Sequence, residues 1–190
     1  MDEVGRGPVA GPVTVGACVC HVDDLKTLKR KYKEVGDSKK VSVETRKQLT
    51  KRLRKEGLLR CTVASVSAQE IDRIGISKSL KRAVAKCLSN LRVDPKETMV
   101  LLDGRLYAPK RFFQQKTIIK GDSKEWLIGA ASIIAKVHRD QKMEKLAEKF
   151  PNHGFERHVG YGTKEHYQKI KKYGLTKIHR KSFLKKILCG

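Results

Sequence analysis

An α/β domain is predicted by three observations: short apolar runs of strand length, amphipathic helical stretches between them, and no repeat, low-complexity tract or linker across 190 residues. The run from Pro12 to Val22, rich in Val and small residues, reads as a strand. Leu25 to Val35 is a basic helical stretch, followed by the turn GDSKK. Ser42 caps a helix to about Glu56, and Gly57 supplies its stop. Leu58 to Val66 is a second strand, after which Ser67 and Glu70 form a capping box that opens a short helix. Ile76, Leu80, Val84, Cys87, Leu88 and Leu91 recur at helical spacing and define one buried face. TMVLLDG is a strand ending in Asp103, and KTIIKGD another ending in Asp122. A long helix from Lys124 to Lys149 follows, apolar at Leu127, Ile128, Ala131, Ile134 and Ala135. Beyond Phe150 the tail is rich in His, Gly, Lys and aromatic residues, with a helix from about Thr163 to Tyr173.

Composition narrows the partner. Hydrophobic residues make up 39% and charged residues 33%, which suits a globular domain rather than a disordered chain. Lys and Arg number 43 against 20 Asp and Glu, a net charge of +23, and a field of that sign suits nucleic acid. No apolar run approaches the roughly 20 residues needed to span a bilayer, and no secretory signal is visible. A cytoplasmic monomer, not bound to membrane, is expected. Cys18, Cys20, Cys61, Cys87 and Cys189 contain no CxxC pair and are read as reduced thiols, with no zinc site and no disulfide framework. His153, His158, His166 and His179 cluster in the tail at a spacing that fits no common zinc motif, so structural or phosphate-side roles are expected.

The acids are placed where chemistry happens. Asp103 and Asp122 each follow an apolar strand, and Asp2 and Glu3 lead into the first strand region. Strand ends in an open α/β sheet converge on the functional crevice. A single strand-end Asp is most simply a helix cap or turn residue, but four carboxylates converging in a basic protein repel one another unless cations sit among them. Mg²⁺ or Mn²⁺ takes such oxygen ligands, and two ions about 4 Å apart activate water and stabilise the leaving oxygen in phosphodiester cleavage. Metal plus basic surface points to a nuclease.

The stretches DEVGRGPVAGPV, DSKKVS, LLDG, KGD with AASIIAKVHRD, and GFERHVGYGTKEH leading to IHRKSF occur in the order and spacing of type 2 ribonuclease H, the ribonuclease HII family, which the chain resembles along essentially its whole length. The resemblance implies one domain over residues 1–190 with an RNase H-like fold. This is a mixed β-sheet flanked by helices, with a helical C-terminal extension whose residues 150–190 form a basic, substrate-binding segment. It implies cleavage of the RNA strand of RNA–DNA hybrids, and of duplex DNA on the 5′ side of single embedded ribonucleotides, leaving 3′-hydroxyl and 5′-phosphate ends. Asp2, Glu3, Asp103 and Asp122 match the family's catalytic, metal-binding acids. Gly5, Arg6 and Gly7 match its loop that recognises the ribonucleotide 2′-OH, which separates RNA from DNA. Tyr161 matches the tyrosine that stacks on the following deoxyribose, and Lys39, Lys40, Ser132 and Lys136 match positions lining the substrate groove.

Two departures carry expectations of their own. Asp2 follows the first residue directly, so the first strand is expected to be short or to lack its start, with Asp2 frayed and its metal affinity weakened relative to an N-terminally extended chain. Trp126 and Gly129 in SKEWLIG depart from the family pattern and leave the entry to the long helix open. The competing readings are a non-catalytic basic RNA-binding protein, which gives no reason for four placed acids, and a nuclease of the same fold acting on DNA.

Overall fold

The computed structural model of the protein describes residues 1–37 and 42–185. Along the chain run β1 (Asp2–Val4), β2 (Val13–Val19), α1 (Leu25–Lys31), α2 (Val43–Lys55), β3 (Arg60–Val66), α3 (Ala68–Ile74), α4 (Ile76–Leu91), β4 (Val100–Asp103), β5 (Gln115–Ile118), α5 (Gly121–Lys124), α6 (Trp126–Lys149), α7 (Phe155–His158) and α8 (Lys164–Tyr173). Strands β1, β2 and β3 form an antiparallel sheet in that order, and β4 pairs with β5 in parallel. Met1 joins the two: its amide nitrogen donates to Leu101 O at 2.7 Å, and Asp103 N donates to Met1 O at 3.0 Å.

Those two bonds correct the expectation of a frayed start. β1 is only three residues long, but Asp2 is buried and the Met1 side chain lies in the core. Other boundaries shift for local reasons. The predicted helix over residues 25–35 breaks at Tyr32 and continues as a 3₁₀ turn, Lys33–Asp37. β5 stops at Ile118, because Lys120 turns into the left-handed region at φ 55° and opens α5. Asp122 therefore stands in the first turn of a short helix and not at the end of a strand. The capping residues read from the sequence hold, since Ser42 accepts from Thr45 N and Ser67 from Glu70 N, and the structure adds a third cap, Thr163, which accepts from His166 N.

Strand β2 shows how the layers assemble. Val13, Val15 and Ala17 pack on one side with Leu80, Val84, Cys87, Leu88 and Leu91 of α4. The alternate residues face α6, and a Cβ at Gly16 would lie 2.3 Å from Ala131 O. Glycine there lets the helix backbone come down onto the strand, which lowers Ser132 towards β1. α6 is buried around much of its first half, where Ala130, Ile133 and Ile134 pack against Leu28, Leu49 and Leu53 of α1 and α2. The open entry to α6 is resolved as well. Trp126 Nε1 donates to Tyr32 O at 3.0 Å, and a Cβ at Gly129 would lie 2.9 Å from Asp122 O, so the glycine admits α5 against α6. Among the described residues no helix is long and apolar enough to cross a membrane.

Candidate active site

The register Asp2↔Gly16 and Glu3↔Val15 fixes the acidic pair at the inner end of the antiparallel sheet, beside the C-terminal end of β4. Neighbours on a strand point to opposite faces, yet one carboxylate oxygen each from Asp2, Glu3 and Asp103 lies within 4.8 Å of the others. Gly121 N donates to Asp103 Oδ1 at 2.6 Å, so the start of α5 orients the acid that ends β4. Asp122 is the next residue, reached by the Ser123 hydroxyl at 3.3 Å. It lies outside the three-acid cluster, so three of the four predicted acids converge and the fourth adjoins them through Gly121.

Electrostatics leave the cluster with more negative charge than its surroundings balance. Burial, reinforced by the Asp103 and Glu3 charges, pushes Asp2 up to about 7, while a hydrogen bond from Ser132 pulls the other way. Burial also raises Glu3, against the opposing pull of Arg6. Glu3 Oε2 is buried with no hydrogen-bond partner among the described residues. An orphaned carboxylate oxygen in an all-oxygen donor set fits a hard divalent ion such as Mg²⁺ or Mn²⁺.

The glycine–arginine–glycine loop leaves β1 directly. Arg6 Nη1 lies 3.5 Å from Glu3 Oε1, tying the loop to the acids, and its side chain is 43% exposed. The two glycines differ. Gly5 has φ 82°, and a Cβ there would fall 2.1 Å from Arg139 Nε and 2.7 Å from Pro12 O. A Cβ on Gly7 meets nothing within 4 Å. Protein packing therefore demands the first glycine and is indifferent to the second.

The family model of ribonuclease HII matches residues 1–186. The chain belongs to the ribonuclease HII family. As a member it is an RNA–DNA hybrid endonuclease. The ribonuclease HII of Shouchella clausii is 44% identical over 184 residues, covering 96% of this chain and 66% of that protein. That of Caldicellulosiruptor bescii is 43% identical over 188 residues, covering 99% and 86%. The ribonuclease H2 structure of Pyrococcus horikoshii shares 30% identity at a TM-score of 0.76, over 98% of this chain and 94% of that one. The Archaeoglobus fulgidus ribonuclease HII, solved as a PCNA complex, shares 30% identity at a TM-score of 0.73, over 94% and 89%.

In this ribonuclease HII chain the other matched residues spread over α6 and the C-terminal segment. Ser132 bonds Asp2, which puts it at the acids themselves. Lys136, one turn along α6, donates to Asp140 Oδ1 at 3.0 Å. Tyr161 is 45% exposed, on the loop between α7 and α8. Lys39 and Lys40 lie outside the described residues, as does Cys189.

The four tail histidines are buried, and their partners fix every tautomer. Thr176 N donates to His179 Nδ1 at 2.8 Å, so His179 carries its proton on Nε2. That proton goes to His166 Nε2 at 3.1 Å, and His166 Nδ1 donates to Tyr161 O at 2.8 Å. His158 accepts from Gly160 N on Nδ1 and donates from Nε2 to His153 O. Of the structural or phosphate-side roles expected for these residues, their burial and bonds fit the structural one, and they hold the backbone of the Tyr161 loop. Sequence reasoning did not single out Arg139 and Arg180, two fully buried guanidiniums behind the Gly5–Gly7 loop. Their signal was faint: one basic residue in each of two very basic stretches.

Proposed function

We propose that this protein nicks duplex DNA on the 5′ side of single embedded ribonucleotides, as well as cutting RNA in hybrids, and leaves 3′-hydroxyl and 5′-phosphate ends. The observation that carries the reading is the Arg6–Glu3 contact, which sets a ribose-sensing loop directly against the acid cluster. Asp2, Glu3, Asp103 and Asp122 would hold two Mg²⁺ or Mn²⁺ ions, which supply an activated water and stabilise the leaving oxygen when bound. The protein's own groups do the positioning. Gly121 N fixes Asp103, and Ser132 fixes Asp2. Gly7, with open space where a side chain would stand, lets a minor groove approach the backbone closely. The exposed Tyr161 ring offers a flat apolar face for the deoxyribose after the ribonucleotide, so a junction rather than a uniform hybrid is read. Lys136, with Lys39 and Lys40 and the basic segment 150–190, would meet phosphates across the groove.

The test is cleavage of a DNA duplex carrying one ribonucleotide, with Mg²⁺, with Mn²⁺ and with EDTA, beside an all-DNA duplex. A metal-dependent nick 5′ to the ribonucleotide, with the all-DNA control intact, is the expected result. Cutting of RNA–DNA hybrid with no nick at the single ribonucleotide would overturn the junction reading, and cutting of the all-DNA duplex would overturn the role of the loop.

A further inference from the structure

The loop from Gly5 to Pro12 is held from behind by two arginines that reach it from distant parts of the chain. Arg180, in the C-terminal segment, donates from Nη2 to Gly5 O at 2.6 Å, from Nη1 to Arg6 O at 3.0 Å and from Nε to Gly11 O at 3.0 Å. Arg139, on α6, donates to Pro12 O at 3.0 Å, to Ala10 O at 3.4 Å and to Val159 O at 2.9 Å. Neither forms an ion pair among the described residues, and both are fully buried. Burying a guanidinium against carbonyls alone is a costly way to brace a loop. Its planar fork of five donors is also what several separately placed carbonyls require, and a lysine cannot reproduce it.

The consequence lies on the opposite side of each peptide plane. In a trans peptide the C=O and the following N–H point in opposite directions. With the Gly5 and Arg6 carbonyls turned inward onto Arg180, the N–H groups of Arg6 and Gly7 are turned outward, on residues that are both exposed. Neither amide donates to a partner within the described protein. We propose that Arg180 is the positioning residue for ribonucleotide recognition: it fixes two outward amide donors of the 5–7 loop against the substrate, with Arg139 bracing the loop's far end. This rests on the reading of that loop as the ribose sensor. The same segment is bonded to the Tyr161 loop, because Val9 N and Ala10 N share Gly160 O at 2.9 and 3.1 Å and Arg180 N donates to Val9 O at 2.8 Å. Arg139 joins them again at Val159 O, beneath a β-branched residue held at φ 41°. Ribose reading and junction reading are thus carried by one braced unit.

The experiment uses the full chain with Arg180→Lys, which keeps the charge and loses the fork. A second variant, Phe183→Ala, removes the ring stacked 5.1 Å from the Arg180 guanidinium without touching a buried polar group. Steady-state cleavage of the single-ribonucleotide duplex is measured beside ¹⁵N amide spectra. The expected result for Arg180→Lys is a cooperative melt, a kcat lowered about tenfold or more with KM within about threefold, and displaced Arg6 and Gly7 amide signals while that of Gly121 stays. Rescue by lysine, with wild-type kcat or unmoved loop amides, overturns the proposal, since charge alone would then suffice. If Arg180→Lys does not fold, Phe183→Ala decides: a smaller loss in the same direction with moved amides supports the proposal, and wild-type behaviour overturns it. A wild-type protein that never nicks the duplex defeats the functional reading instead, and the amide shifts still report on the positioning.

Discussion

The backbone amide of Gly121 donates to Oδ1 of Asp103 at 2.6 Å, joining the end of β4 to the turn that follows β5. Little room is left at that turn. A Cβ on Gly121 would stand 2.7 Å from Ile128 Cδ1, 3.1 Å from Asp103 Oδ1 and 3.4 Å from Ile118 Cβ. Gly121→Ala is therefore expected to push Asp103 and Asp122 apart by part of an ångström while the sheet stays paired. Misplacing a reacting group by that much lowers rates by up to about 100-fold, whereas the overpacking itself destabilises by about 1–3 kcal/mol. A cleavage assay beside a thermal melt checks it. A large loss of stability with normal activity in the surviving protein would contradict the positioning role.

Gly5 and Gly7 make opposite predictions although they stand two residues apart. Gly5→Ala collides with the Arg139 side chain and with Pro12 O, at a positive φ that disfavours any side chain, so both folding and activity are expected to fall. Gly7→Ala adds a methyl group to open space, so its melting temperature is expected to stay within about a degree of wild type while substrate affinity drops. Binding to the ribonucleotide duplex and thermal denaturation, measured on both variants, separate the two. Equal loss of stability in both would mean that the loop packs differently from the structure.

Acid stability is set in part by the histidine chain behind Tyr161. Burial lowers both His166 and His179 to about 4, with the His158 and His153 charges lowering His166 further and the His166 and His153 charges lowering His179. A second proton has no place on His166 Nε2, which faces the His179 Nε2–H, or on His179 Nδ1, which faces the Thr176 N–H. In the unfolded chain both titrate near 6.5. Between pH 6.5 and 4 the unfolded state holds more protons, so stability falls as pH falls through that window. The expected slope is about 1.4 kcal/mol per pH unit for each histidine that stays neutral in the folded state. His179→Asn should lower stability at pH 7 and also flatten the slope on the acid side by about one proton. Urea titrations from pH 4 to 7.5 on both proteins measure this, and an unchanged slope would show that His179 titrates freely.

Much of this was legible in the sequence because it was local. Caps at Ser42 and Ser67 depend on residues three apart, and the buried face of α4 on helical spacing, so both are written contiguously. The acids Asp2, Glu3 and Asp103 were legible by their position at strand ends. Asp122 was misplaced by its run, KTIIKGD, since the left-handed turn at Lys120 that ends β5 early has no strong local signal in a lysine. The burial of Met1 was missed because it depends on β4, some 100 residues away. Arg180 was missed for the same reason: its partners Gly5, Arg6 and Gly11 lie about 170 residues upstream, and nothing near HRKSF distinguishes a buried arginine from its exposed neighbours.

The acid cluster carries the last prediction. Asp2, Glu3 and Asp103 bring three carboxylates within 4.8 Å in a setting that is partly or fully buried, and such a set opposes folding when no cation shares it. Asp103→Asn removes one charge and keeps an oxygen to accept from Gly121 N. Without divalent ions, the variant should therefore melt above wild type, by about 2–4 °C for each kcal/mol of repulsion relieved. Adding Mg²⁺ or Mn²⁺ should raise the wild-type melting temperature, since a ligand bound only by the folded state stabilises it in proportion to the logarithm of its concentration. The variant should lose most of that rise. Cleavage should be abolished while binding to the ribonucleotide duplex persists, because the basic surface is untouched, and that binding should weaken steeply with salt. Thermal shift with and without metal, run beside cleavage and binding assays, tests all of this in one series. A variant that melts lower in EDTA, yet gains as much from metal as wild type, would remove Asp103 from the metal site and leave it as a strand-end cap.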